Sequence, residues 1–161
     1  MRMRMFIGIG IVLMVFTLGN AGYAQNQGKD DSLDAAIKSF LQAVEKNPNY
    51  TEAHYNLGLL YSEKGMAEEA ITEYKKAIEL NRYSPKVYNN LGVAYSKRKM
   101  FDEEIAAYKS AIELDPRYQD AYFNLGIAYG AKGMIDEEIR LYEKVIELDP
   151  KNFEAFYNLG D

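Results

Sequence analysis

Few residues of this 161-residue chain could do chemistry. Cysteine is absent and histidine occurs once, at His54. Without cysteine there are no ligands for thiolate zinc sites or iron–sulfur clusters, and there is no thiol nucleophile. The formal net charge of −5 disfavours general binding to a nucleic-acid phosphate backbone. A composition of 48% hydrophobic and 27% charged residues is typical of a globular protein, and we expect no nucleic acid among its partners.

Acid pairs and aromatic residues recur at a regular interval along the chain. The position of His54 holds Tyr88, Tyr122 and Phe156 in later intervals, which favours a packed ring over a base or a metal ligand. The acids likewise come once per interval, which fits a solvated helix N-terminus, where the helix dipole favours them, better than a catalytic pair. These acids are Glu68-Glu69, Glu103-Glu104 and Glu137-Glu138. We therefore expect no enzyme activity, no metal and no cofactor.

The first 24 residues differ from the rest of the chain and have the order of a secretory signal peptide. Arg2 and Arg4 precede an uncharged, mostly apolar run, and small residues close the segment at Ala24. The apolar run is shorter than the about 20 residues that a membrane-spanning helix needs. We expect export, cleavage after Ala24 and a flexible lead-in at residues 25–30, with an uncleaved N-terminal anchor as the alternative.

Beyond the lead-in, the chain repeats with a period of 34 residues. The phrase Asn-Leu-Gly occurs four times at this step, and tyrosine, isoleucine, leucine and proline positions keep the same register. A period of this length indicates stacked structural units. The glycines are Gly58, Gly92, Gly126 and Gly160, and the first tyrosine series is Tyr61, Tyr95 and Tyr129.

The repeat resembles the tetratricopeptide repeat (TPR) family. It has a Leu-Gly pair, a tyrosine three residues later, an aromatic residue in its second half and a closing proline. The resemblance implies an all-α fold, a right-handed superhelical solenoid of antiparallel helix pairs. Apolar spacing over Thr51–Lys64 and Glu68–Leu80 independently predicts two amphipathic helices per copy.

Two features of the repeat concern the contact between paired helices. A glycine inside each first helix costs about 1 kcal/mol relative to alanine, so its recurrence indicates a close approach to the second helix. Glu104 and Glu138 stand where the first copy has Ala70. We expect the aliphatic stems of these glutamates to cover the seam while their carboxylates reach water.

The period also sets the boundaries. The full copies are residues 51–84, 85–118 and 119–152; residues 31–50 match a second helix alone, and residues 153–161 begin a fourth copy. The exposed apolar side chains of that last segment leave two alternatives. Either the chain is a piece of a longer array, or this end packs against another molecule, such as a second copy of the chain.

In TPR proteins the first helices line an inner groove that holds an extended peptide or a partner helix, so the resemblance implies a protein or peptide partner. The matching positions combine a ladder of asparagines with an apolar strip. An amide offers a donor and an acceptor to a peptide backbone, although these asparagines could instead satisfy neighbouring helices. The candidate groove residues are Tyr55, Asn56, Leu59, Asn89, Asn90, Val93, Phe123, Asn124, Ile127 and Asn158.

A clamp for a partner's C-terminal carboxylate, as in chaperone-binding members of the family, is disfavoured. Such a clamp uses lysine and arginine, but Lys86 is the only basic residue among the matched groove positions. Its counterparts in the other copies are Glu52, Asp120 and Glu154.

The sequence therefore predicts a non-enzymatic protein–protein interaction scaffold of the cell envelope. The periplasm is the expected location and secretion the alternative, with no stable membrane insertion after cleavage. Two other functions remain open at this stage. The chain could be the recognition array of a larger, truncated envelope enzyme, or a structural module that self-associates through its C-terminal end.

Overall fold

The computed structural model describes residues 28–160, and over this range the chain is a row of α-helices joined by short turns. The predicted signal peptide and residues 25–27 lie outside the described residues. The helices are α1 (residues 28–46), α2 (Thr51–Glu63), α3 (Ala67–Leu80), α4 (Pro85–Lys97), α5 (Phe101–Leu114), α6 (Gln119–Ala131), α7 (Ile135–Leu148) and α8 (Phe153–Gly160). The described part of the chain has no strand, so the all-α prediction is confirmed.

The helix α1 begins earlier than the lead-in predicted from its polar composition would allow. Residues 28–30 are helical, and the ammonium of Lys29 lies 3.0 Å from the carboxylate of Glu63. This ion pair ties the first described turn to the end of α2.

The turn between the two helices of each repeat contains one residue with a left-handed backbone conformation, and these residues are spaced 34 positions apart. Gly65 and Gly133 have φ of 76° and 73°, where glycine carries no steric penalty. Lys99 takes the same place after α4 with φ of 57°. A left-handed conformation costs a residue with a side chain roughly 1–2 kcal/mol, so the second repeat is strained at this turn.

Each first helix packs against its second helix through a glycine–tyrosine contact. A Cβ atom placed on the glycine would lie 2.4–2.8 Å from the nearest tyrosine ring atom, well inside van der Waals contact. The pairs are Gly58 with Tyr74, Gly92 with Tyr108 and Gly126 with Tyr142. The predicted close approach of paired helices is confirmed, and burial raises the pKa of both Tyr74 and Tyr142 to about 12.

Neighbouring repeats are joined by contacts that also recur every 34 residues. A cation just after each first helix pairs with an acid near the start of the preceding second helix. A lysine of α3 and a lysine of α5 also stand over a tyrosine ring of the next repeat at about 5.6–5.7 Å. The ion pairs are Lys64–Asp34, Arg98–Glu68 and Lys132–Asp102, and the ring contacts are Lys75–Tyr95 and Lys109–Tyr129.

The prediction for Glu104 is wrong. Its side chain is only 3% exposed and lies in the seam next to Tyr108. Burial raises the pKa of Glu104. The matching Glu138 is partly exposed and fills the space over Gly130, which stands in the place of Ser96. Both carboxylates therefore lie against the first helix of their repeat, and Glu104 is the more deeply buried of the two.

Candidate functional site

The first helices form one layer of the solenoid. Helix α2 contacts α4, and α4 contacts α6, whereas the second helices α3, α5 and α7 make no comparable contacts with one another in the part of the chain that the structure describes. Layers that approach more closely lie on the inside of a curved array. We call the exposed surface of α2, α4, α6 and α8 the inner face.

Two asparagines of the inner face are held by the preceding first helix. The Nδ2 atom of Asn90 donates to the Tyr55 hydroxyl at 3.2 Å, and the Nδ2 atom of Asn124 donates to the Asn89 Oδ1 atom at 3.0 Å. Both bonds join residues 35 positions apart. The alternative role of satisfying a neighbouring helix is therefore present in both residues.

These bonds leave part of each amide free. A primary amide has two N–H donors and an acceptor oxygen, and each bond uses one donor. Within residues 28–160 no hydrogen bond engages the Oδ1 atom of Asn90 or Asn124. The neighbouring residue fixes each amide from one side, and one donor and the oxygen of each amide stay without a partner among the described residues.

The amide partners themselves differ in exposure. Asn89 is buried and gives its oxygen to Asn124, so it positions that amide and does not face a partner. Tyr55 is half-buried, with its ring centroid 6.1 Å from that of Tyr74. Burial raises the pKa of Tyr55, and the Asn90 bond opposes the rise.

The apolar positions of the inner face also differ in exposure. Leu59 and Ile127 are exposed, whereas Val93 is half-buried against the core around Tyr108. Asn56 is half-buried. Two apolar side chains with a half-buried one between them give a partner a strip to contact, and Leu59 and Ile127 are the parts of it that reach solvent.

The ladder changes at its last step. Asn158 of α8 stands 35 positions after Phe123, which has no acceptor for its amide. A pocket of about 600 Å³ opens there between α6 and α8. The residues that line this pocket are Phe123, Phe153, Glu154, Tyr157 and Asn158, and we call it the α6–α8 pocket.

Of the residues that line this pocket, sequence reasoning missed Phe153, whereas Glu154 and Tyr157 match inner-groove positions of the repeat. A signal for Phe153 was present, because the same position holds Thr51, Pro85 and Gln119 in the full copies. A large aromatic residue where the repeat otherwise tolerates small or polar side chains indicates a local role.

His54 is part of the packing, as predicted, and lies away from the inner amides. The ring is buried, with Nδ1 2.7 Å from the Glu73 Oε2 atom and Nε2 2.9 Å from the Pro48 carbonyl oxygen. These bonds tie the turn before α2 to helix α3. Among residues 28–160 no group of three histidine or acidic side chains is arranged to hold a metal ion.

Helix pairs stacked at a fixed interval, with an amide-bearing inner face, define a helical-repeat solenoid. A family model described as TPR repeat matches residues 19–65, 63–99 and 101–133, and one described as Tetratricopeptide repeat matches residues 119–152. The chain belongs to the tetratricopeptide repeat family, whose members are generally protein-interaction scaffolds and are typically not enzymes.

Solved structures support the same assignment. The crystal structure of MamA has a TM-score of 0.78 and 32% identity, over 82% of this chain and 77% of that one. The first TPR of Spaghetti (RPAP3), bound to the HSP90 peptide SRMEEVD, has a TM-score of 0.66 and 32% identity, over 68% of this chain and 86% of that one. The Arabidopsis OM64 TPR domain, at 21% identity and a TM-score of 0.66, shares the fold over 68% of this chain and 91% of that one. No curated protein matches the chain.

None of the helices within residues 28–160 is both long and apolar enough to cross a membrane.

Proposed function

We propose that this chain is a non-enzymatic protein–protein interaction scaffold of the cell envelope, which holds an extended peptide or a partner helix on its inner face. The observation that carries the proposal is the pair of fixed amides at Asn90 and Asn124. Each is oriented by a bond to the preceding helix and keeps a donor and an acceptor for a partner.

The inner face supplies two kinds of contact to such a partner. The amides pair with a main chain whatever its sequence, and each hydrogen bond adds about 0.5–1.5 kcal/mol net. Leu59 and Ile127 contact apolar side chains, whose burial adds about 25 cal/mol per Å². Amides beside an apolar strip therefore suit a segment that has both an accessible backbone and apolar side chains.

The solved RPAP3 complex shows a related TPR bound to an acidic peptide, but the charges here differ from a carboxylate clamp. Lys86 is the only basic residue at the matched inner positions. The same repeat position holds an acid in the other copies, namely Glu52, Asp120 and Glu154. We therefore propose a partner other than an acidic C-terminal peptide.

The envelope location rests on the signal-peptide pattern of residues 1–24. The first family match begins at residue 19, so cleavage after Ala24 would remove the start of the matched stretch. N-terminal sequencing of the protein from a periplasmic fraction tests the proposal, and Gln25 is the expected first residue. A membrane-bound product that begins at Met1 would support the uncleaved anchor instead.

Site-specific crosslinking tests the inner face directly, because a chain without cysteine accepts one introduced thiol without interference. We would attach a photo-crosslinker to Ile127→Cys on α6 and, as the matched control, to Ile139→Cys on α7. The two isoleucines are 47% and 41% exposed. Crosslinks to envelope proteins are expected at Ile127 alone, and equal yields at both positions would contradict the proposal.

A substitution tests how much the amides contribute to binding, apart from the other contacts of the inner face. Asn90→Ala removes one partner-facing amide, and because Tyr55 is only half-buried, water can replace the bond that its hydroxyl loses. Affinity for the crosslinked partner should fall about fivefold, the equivalent of about 1 kcal/mol. Asn124→Ala is a poorer test, because it would leave the buried Asn89 oxygen without its donor.

A further inference from the structure

We infer that the α6–α8 pocket selects a partner segment in which a large apolar side chain lies next to a lysine or arginine. This inference rests on the proposed function and adds the chemistry of the partner. It follows from three properties of the pocket: its apolar walls, its unengaged amide and its single charge.

The pocket has aromatic walls that a partner can cover. Phe153 and Tyr157 are 84% and 72% exposed, so both rings remain largely in water. Phe123 is supported from behind by Tyr142, with ring centroids 5.5 Å apart, which fixes one wall in place. A volume of about 600 Å³ lies in the usual range of about 300–1,000 Å³ for binding pockets, so a large side chain can enter. Burial of such a side chain against these rings is favourable.

The amide at the pocket is free of the bond that its counterparts make. Asn90 and Asn124 each donate to the preceding helix, but Asn158 stands opposite Phe123, which cannot accept. No hydrogen bond within residues 28–160 engages the Asn158 amide. A partner's main chain beside the entering side chain can therefore use both the donors and the oxygen of Asn158.

The charge of the pocket selects the neighbouring residue of the partner. Glu154 is exposed and is the only charged residue among those that line the pocket. A second, smaller pocket of about 260 Å³ at the α2 end of the inner face again has one charged lining residue, Glu52, beside Tyr55 and Val87. An acid next to an apolar wall at both ends favours cations in the bound segment and opposes a peptide with the acids of SRMEEVD.

A peptide-display selection tests the inference without a known partner. The whole chain, fused through its N-terminus to a soluble carrier, is exposed to a random library of extended peptides, with the carrier alone as background. We expect the enriched peptides to carry a phenylalanine, leucine, tyrosine or methionine next to a lysine or arginine. The affinity of one enriched peptide is then measured by fluorescence anisotropy.

Substitutions in the pocket, each with a matched control elsewhere, test whether the selected peptide binds there. Tyr157→Ser should weaken the peptide by about tenfold or more, whereas Tyr83→Ser should not, although Tyr83 is similarly exposed at 77%. Glu154→Lys should weaken it by about threefold to tenfold, whereas Glu143→Lys, the same charge change at an exposed position of the outer helix α7, should leave it unchanged. Added salt should reduce the effect of Glu154→Lys.

The outcomes separate this inference from the proposed function. If the enriched peptides are acidic or lack a large apolar residue, or if Tyr157→Ser acts no more strongly than Tyr83→Ser, the inference about the pocket is wrong. If Asn90→Ala still weakens the same peptide in that case, the inner face remains the binding surface. Peptides insensitive to both Tyr157→Ser and Asn90→Ala would contradict both proposals, and no enrichment above the carrier would contradict the inference about the pocket.

Discussion

The contact between Gly92 and Tyr108 gives the sharpest stability prediction. A methyl group on Gly92 would lie 2.5 Å and 2.7 Å from two carbons of the Tyr108 ring, whereas carbon atoms normally approach to about 3.5–4.0 Å. The ring is buried at 2% exposure and has no open side into which to rotate. Gly92→Ala therefore requires the two helices of the second repeat to separate by about 1 Å.

The expected change is the balance of two terms. Overpacking of a well-filled core costs about 1–3 kcal/mol, and a contact this short belongs at the upper end. Alanine has a higher helix propensity than glycine, which offsets about 1 kcal/mol of this cost. We expect Gly92→Ala to lower the free energy of unfolding by about 1–2 kcal/mol, measured by urea unfolding followed with far-ultraviolet circular dichroism.

Two further variants test the cause. Gly126→Ala should be less damaging, because the nearest ring atom of Tyr142 lies at 2.8 Å and the next ones at 3.2 Å. Adding Tyr108→Leu to Gly92→Ala should recover part of the loss, with a coupling of at least about 0.5 kcal/mol. The reasoning is refuted if Gly92→Ala raises the urea midpoint, as helix propensity alone would predict.

Glu104, His54 and Lys99 each affect the stability of the fold through a local feature. Because burial holds the pKa of Glu104 above its usual 4.5, the folded state favours the protonated carboxyl and loses stability as the pH rises through 4.5 towards the folded pKa. Glu104→Gln should therefore raise the thermal midpoint at neutral pH, with an advantage that shrinks in acid; a pH-independent difference would contradict this. His54→Phe should lower the free energy of unfolding by about 1.5–3 kcal/mol through loss of the bond to Glu73, which urea unfolding can check. Lys99→Gly should raise it by about 0.5 kcal/mol, since glycine removes left-handed strain of about 1–2 kcal/mol and adds freedom of about 0.5–1 kcal/mol to the unfolded chain.

The repeated architecture could be predicted from the sequence because each copy repeats the same physical requirement. Gly58, Gly92 and Gly126 indicated close helix contact three times over, and the structure places a tyrosine ring against each of them. The exposed ion pairs between repeats could have been found as well. Their members are 30 residues apart in every case, as for Lys132 and Asp102.

The inner face was less accessible to sequence reasoning because its contacts depend on neighbouring copies that differ from one another. The bond to Asn90 needs Tyr55, and the bond to Asn124 needs Asn89, yet the next position in the series is Phe123. One repeat position thus holds tyrosine, asparagine and phenylalanine in successive copies. The first two residues each fix an amide of the next first helix, and the third lines a pocket.

Amide NMR of the whole chain, titrated with a display-selected peptide, tests the central claim most directly. If the inner face binds the partner, shift changes should concentrate on α2, α4, α6 and α8, with the side-chain amides of Asn90, Asn124 and Asn158 among the largest. Changes that concentrate on α3, α5 and α7 instead would place the binding surface on the opposite layer and contradict the account.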